Sequence, residues 1–207
     1  MGSAAPSHNR ILLELGRTWV FASAVDWPGW CRRGKGEHAA IDALLDYQDR
    51  YALIAGRPFR PGEPRVVDRV PGNATTDFGA PDARSRFDDD PLESAEAGRL
   101  ADLLIACWER FDEVAAASPA ELRKGPRGGG RDRDAVVDHV REAERSYGRK
   151  LGVRVPPRTP WAEQRAAISA AIRTPPGQTA WPVRYLVRRT AWHVLDHAWE
   201  IEDKSAG

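Results

Sequence analysis

Hydrophobic residues recur along this chain with two different periods, and the change between them divides it. Ile11–Leu15 and Thr18–Val25 are β-prone runs joined by Gly16-Arg17, which suits a two-residue II′ hairpin. Asp26-Trp-Pro-Gly29 is a turn signal, and Trp30–Arg33 adds a short third strand. From Glu37 to Ala55 the period becomes helical, with Ile41, Leu44, Leu45, Gln48, Ala52 and Ala55 along one face. Val66–Val70 returns as a strand. These elements predict a small α+β layer over residues 10–75, after a disordered lead-in over residues 1–9 that leaves His8 in solvent. Residues 56–91 are rich in Pro, Gly and Asp. They read as a connection packed through Phe59, Phe78 and Phe87, and the part beyond the α+β layer, 76–91, leads to the next domain.

From residue 92 to residue 205 the helical period dominates. Leu92–Ala117 places Leu100, Leu103, Leu104, Cys107, Phe111 and Val114 on one stripe, and Ser118-Pro119 stops it. Asp132–Leu151 puts Val136, Val140, Ala143, Tyr147 and Leu151 inward, with Arg141, Glu142, Arg145 and Arg149 on the solvent side and Gly152 as a stop. Trp161–Arg173 is a shorter helix facing inward through Ile168 and Ile172, ended by Pro175-Pro176-Gly177. Trp181–Asp203 is the fourth, with Pro182 in its first turn and Val183, Leu186, Val187, Thr190, Val194, Ala198 and Ile201 along its core stripe. Four amphipathic helices with one apolar face each predict an up-down four-helix bundle.

Composition narrows the function. Thirty-one basic and thirty acidic residues nearly cancel over 207 residues, so no overall field invites nucleic acid or a membrane surface. No apolar run reaches spanning length and no signal peptide opens the chain, which reads as cytoplasmic. Cys31 and Cys107 fall in different segments and make no disulfide framework. The basic, Gly-rich stretch Arg123–Gly130 lacks the strand context and the Gly-Lys-Ser/Thr ending of a phosphate-binding loop, and reads as a flexible connector.

The hairpin, the turn Asp26-Trp-Pro-Gly-Trp-Cys31 and the helix after it resemble the HicB-like fold over residues 10 to 70. That family commonly carries a separate DNA-binding segment. None is evident here, so the resemblance implies a fold and no nucleic-acid role.

The chemistry lies in three of the five histidines. His193 and His197 are four residues apart, so they stand one above the other on the fourth helix. His139 shares the inward face of the second helix with Val136 and Ala143. Inward imidazoles are either a hydrogen-bonded core group or ligands of a metal. Three in one helical core favour the metal, because three neutral imidazoles and an open position form a divalent site of the catalytic type. His38, at the start of the first helix, reads as a surface or capping residue.

Two segments carry a second resemblance: Asp134-Ala-Val-Val-Asp-His-Val-Arg-Glu-Ala-Glu144 and Arg189-Thr-Ala-Trp-His-Val-Leu-Asp-His-Ala-Trp-Glu-Ile-Glu202. Residues 92–203 resemble the DinB/YfiT-like superfamily of metal-binding four-helix bundles, in which a histidine of the second helix joins a His-x-x-x-His pair of the fourth. The resemblance implies His139, His193 and His197 as ligands of a divalent ion, Zn or Ni first and Fe next. It also implies a low-molecular-weight thiol as co-substrate and admits a homodimer, to which the tryptophan content adds. Asp138, Asp196 and Glu200 neighbour the ligands and are candidates to accept an imidazole N–H, although solvated helix carboxylates look the same in sequence. Trp192 and Arg189 are candidates to line a pocket for a small, anionic substrate, against the alternatives of packing for the first and a solvated face for Arg188-Arg189. No catalytic base is assigned. Two functions follow as expectations: a metal-dependent enzyme activating a thiolate or water for transfer, isomerisation or hydrolysis, or a non-catalytic regulatory protein with a structural metal and a HicB-like partner-binding module.

Overall fold

A computed structural model of the chain describes residues 8–57, 59–125 and 129–205. It divides into two compact units, Met1–Pro91 and Leu92–Gly207.

The first unit is α+β. Strands β1 (His8–Leu15), β2 (Val20–Ala24) and β3 (Cys31–Gly34) form an antiparallel meander, followed by helices α1 (Glu37–Asp46) and α2 (Gln48–Ala55) and by strand β4 (Glu63–Pro71). The sheet order is β3-β2-β1-β4, and β4 runs parallel to β1. A parallel neighbour needs a long crossover, which the helical segment supplies. Ile11, Leu13 and Ala22 are fully buried in the sheet.

Local chemistry moves several expected boundaries. The β1–β2 connection is four residues, Gly16–Trp19, and not a two-residue II′ turn, because the backbone N–H of Thr18 leaves the ladder and donates to Asp77 Oδ1 at 2.7 Å. His8 and Asn9, expected in a disordered lead-in, belong to β1. The rest of that lead-in lies outside the described residues. The helix expected over 37–55 breaks at Tyr47, so its second half buries Tyr51 and Ile54 in place of Ala52 and Ala55. Beside the break Trp30 Nε1–H donates to the Leu44 carbonyl at 2.8 Å, and Tyr51 OH donates to the Pro28 carbonyl at 2.8 Å. Residues 72–90 carry α3 (Ala74–Phe78) and a 3-10 turn at Arg86–Asp89. Phe59 packs against Trp27, Trp30 and Tyr51, and Phe87 lies beneath Arg10 and Arg86, whereas Phe78 is 91% exposed.

The second unit is helical: α4 (Ser94–Ala117), α5 (Arg133–Lys150), α6 (Trp161–Arg173) and α7 (Val183–Ser205). The stripe Leu100, Leu103, Leu104, Cys107, Phe111 and Val114 of α4 is buried, as are Val136 and Val140 of α5 and Ile168 and Ile172 of α6. Each such side chain removed from water contributes about 1.5–3 kcal/mol. Helix α4 packs on α7 and α6, and α5 packs on the same two. Gly148 lets α5 come close to α6, since a Cβ there would lie 3.1 Å from Ile168 Cγ1. The last turn of α5 closes on Gly152, at φ 87°, which suits the residue without a side chain. The packing of α5 against α7 brings residues 54 apart in sequence face to face.

Among the described residues no helix is long and apolar enough to cross a membrane. Both cysteines are buried and neither forms a disulfide. All eight tryptophans are buried or half-buried, and none is fully exposed. Of the Gly-rich loop, Pro126–Gly128 lie outside the described residues, and Gly125 N–H donates to the Gly129 carbonyl at 2.8 Å.

Candidate metal centre

The three histidines of the second unit converge. His139 stands on α5, between the buried Val136 and Val140, and so points along the face that meets α7. His193 and His197 stand on consecutive turns of α7. Their ligand nitrogens all lie within 4.8 Å of one another, and the ring centroids are 4.6 to 5.0 Å apart. His139 Nε2 and His193 Nε2 are 3.1 Å apart. Two nitrogens bound to one tetrahedral ion at ordinary Zn–N lengths sit about 3.3 Å apart. His193 is 7% exposed, and His139 and His197 are half-buried, so one edge of the cluster is reachable from outside.

The tautomers follow from the partners. His197 Nδ1 lies 2.8 Å from Glu200 Oε2. An ionised carboxylate only accepts, so Nδ1 carries the proton and Nε2 keeps its lone pair in the neutral ring. Glu200 is held down at about 2, first by this hydrogen bond and then by Lys204, which also bonds to it, against the opposing effect of burial. Between His139 and His193 no acid intervenes: as neutral rings one can donate Nε2–H to the other, and both Nε2 lone pairs face inward only when each ring carries its proton on Nδ1. His193 Nδ1 is buried and has no hydrogen-bond partner among the described residues. Burial, chiefly, holds His193 well below the ordinary histidine value, with the neighbouring His197, His139, Arg189 and Arg131 adding to it. His139 is lowered for the same leading reason, with His197 and Arg131 next and Glu200 opposing. Neutral, desolvated imidazoles are the form in which histidine binds a metal. The donor set therefore fits a divalent ion, and the three nitrogens suit Zn, Ni and Fe alike.

The other sequence candidates separate. Glu200 touches the cluster directly. Asp138 is exposed and Asp196 is half-buried. Trp192 is 5% exposed, with its ring 6.0 Å from that of His193. Arg188 and Arg189 are not a solvated face: both are buried, with Arg188 over Tyr185 and Arg189 over Trp192 at 4.9 Å and Tyr147 at 5.8 Å. Arg145, expected in solvent, is also buried and donates to Gln164 Oε1 and to the Pro157 carbonyl. His38 is exposed on α1, and His8 has Arg65 as a neighbour at 3.4 Å, far from this chemistry in sequence and in a different unit. Two residues near the cluster were not read from sequence as part of a site. Tyr147 edges the His193 ring at 5.8 Å, and its place two turns after His139 was signal enough. Arg131 acts on His139 and His193 from the loop before α5, where no periodicity marks it.

No family model, no curated protein and no solved structure matches this chain. The functional reading therefore rests on the geometry of the cluster and on the segments that carry it.

Proposed function

We propose that this chain is a divalent-metal-dependent protein of the DinB/YfiT-like superfamily. In this reading α4–α7 form its up-down four-helix bundle and the first unit is a HicB-like module. His139, His193 and His197 hold the ion, and the reaction is a thiol-dependent transfer or isomerisation, or a hydrolysis. The observation that carries the reading is the convergence of three imidazoles from two helices, one buried and two half-buried. Bound there, a divalent ion supplies Lewis-acid activation of a thiol or a water.

The chain's own residues do the rest. Glu200 keeps the proton on His197 Nδ1 and so aims its Nε2 inward. Trp192 and Tyr147 wall His193 and limit the water that reaches it. Arg189 keeps positive charge beside the cluster, which favours an anionic substrate group or thiolate. Among the described residues the group comprises three ligating side chains, the number of a catalytic centre, whereas a structural zinc is closed by four. This supports the enzyme over the alternative of a non-catalytic regulatory protein with a structural metal. The protein is taken as cytoplasmic, in keeping with two buried cysteines that form no disulfide.

Elemental analysis of tag-free protein tests the reading. About one ion per chain is expected, lost in His139→Ala, His193→Ala and His197→Ala. No ion, and no uptake from added Zn, Ni or Fe, would reduce the cluster to a core feature. If the ion is present, a screen of low-molecular-weight thiols and hydrolysable esters decides the chemistry. A metal without exchangeable water, inert to every thiol, favours the structural alternative.

A further inference from the structure

A second concave site lies on the helical unit, between α4 and α6, and shares no residue with the histidine cluster. It is a groove of about 600 Å³, within the range of small-molecule sites. Its walls are Ile105 and Trp108 of α4 and Trp161 and Ala166 of α6. Trp108 is 4% exposed, and its indole Nε1 has no acceptor among the described residues.

The charges decide what fits. Arg165 lines the groove, but each of its nitrogens already donates to a carboxylate: Nη1 to both oxygens of Asp112, and Nε and Nη2 to Glu144. Its guanidinium also lies over Trp161 at 3.9 Å. Arg173, at the other end, pairs with Asp102. Arg165 therefore has no nitrogen left to receive an anion, and Arg173 is already paired at the far end. Glu109, one turn before Asp112 on the same helix, lines the groove with no ion-pair partner among the described residues, and Asp112 is 56% exposed. The residual charge at the rim is negative, above apolar and aromatic walls.

We propose that this groove binds a small organic cation, a primary ammonium carried on a flat apolar body. The ammonium is received by Glu109 and Asp112, and the ring lies against Trp108, Trp161 and Ala166. An anion there would face Glu109 and Asp112 while both arginines of the lining, Arg165 and Arg173, are already ion-paired.

Tyramine is the probe, titrated into the full chain by calorimetry. Its neutral alcohol analogue and its carboxylate analogue, 4-hydroxyphenylpropionate, are the controls. Saturable binding of tyramine alone is expected, unchanged by EDTA, which separates it from amine ligation by a metal at the histidines. Glu109→Gln is expected to weaken it about fivefold, the size of a partly exposed ion pair. Ala166→Leu, which fills the groove from an exposed position and leaves the helix intact, is expected to abolish it. Absence of saturable tyramine binding overturns the proposal. So does equal binding of the alcohol or the carboxylate, loss of binding in EDTA, or binding indifferent to both substitutions.

Discussion

Two groups of buried polar side chains sit in the helical unit, and they are built on opposite plans. Around Glu144, which is fully buried on α5, every group finds its complement. Trp161 Nε1–H donates to Glu144 Oε2 at 2.6 Å, and Arg165 donates to the same carboxylate while holding Asp112 with its remaining nitrogen. Around His193 three like groups face one another, His139 at hydrogen-bond distance and Glu200 reaching only His197, and one nitrogen, His193 Nδ1, is left without a partner among the described residues. Glu14 of the first unit follows the closed plan, with its oxygens taken by the Thr76 hydroxyl and the backbone N–H groups of Asp82 and Ala83. A closed polar cluster stabilises the fold that contains it. A cluster of convergent imidazoles with an unmet nitrogen has room for something from outside, a water or an ion.

The largest effect should come from opening a closed cluster. Glu144→Ala removes the carboxylate and leaves the Arg165 guanidinium buried with only Asp112 as counter-charge. Breaking a buried pair from one side costs about 3–5 kcal/mol, so chemical denaturation should show a loss of that order. A change below about 1 kcal/mol would mean that water already reaches the pair.

Next in size is the effect of closing the open cluster. An ion that binds only the folded state adds about 2.7 kcal/mol at one hundred times its dissociation constant. Zinc should therefore raise the denaturation midpoint of the wild-type chain, EDTA should reverse it, and His139→Ala, His193→Ala and His197→Ala should each abolish the response. Equal stabilisation of the three variants would place the ion elsewhere.

How far sequence alone reached follows the same division. The four long helices and the inward histidines were legible because both are local: apolar spacing sets the stripe, and a spacing of four puts His193 above His197. Trp161–Arg173 was read to the residue, with Pro160 before it and Pro175 after. The closed cluster was not legible. Arg145 read as solvated because arginine usually is, and Glu144 and Arg165 meet across 21 residues that hold no common pattern. The parallel pairing of β4 on β1 is non-local in the same way. The break at Tyr47 depends on Trp30 and Tyr51 packing beside it, which no helical period encodes.

A smaller change should weaken the open cluster without destroying it. Glu200→Gln keeps an oxygen to accept from His197 Nδ1 but removes the charge that raises the basicity of the ring. Outer partners of this kind are worth about ten- to a hundredfold in metal affinity. Competition against a chromophoric chelator should show a loss near the lower end, with thermal stability of the metal-free protein changed little. Unaltered affinity would make Glu200 only a partner of Lys204.

The smallest effect carries the sharpest sign. If the cluster is built for an ion and not for the fold, removing its most buried member should help the metal-free chain. His193→Leu replaces a desolvated imidazole and its orphaned Nδ1 by an apolar side chain of similar size. A gain of about 1 kcal/mol is expected at pH 7.5, together with complete loss of metal uptake. Acid should widen the difference. In the folded protein His139 and His193 titrate below the ordinary value near 6.5, whereas in the unfolded chain they protonate there. As pH falls through about 6.5 the unfolded chain takes up protons that the folded one refuses, and wild-type stability falls. The fall continues until the depressed folded values are reached. Above about 7.5 both states are neutral and the term vanishes. Urea midpoints of metal-free protein at pH 7.5 and 5.5 should show a steeper loss for wild type than for His193→Leu. Equal slopes, with a less stable variant at both values, would mean that His193 is held by the core as a satisfied member and not kept there for a ligand.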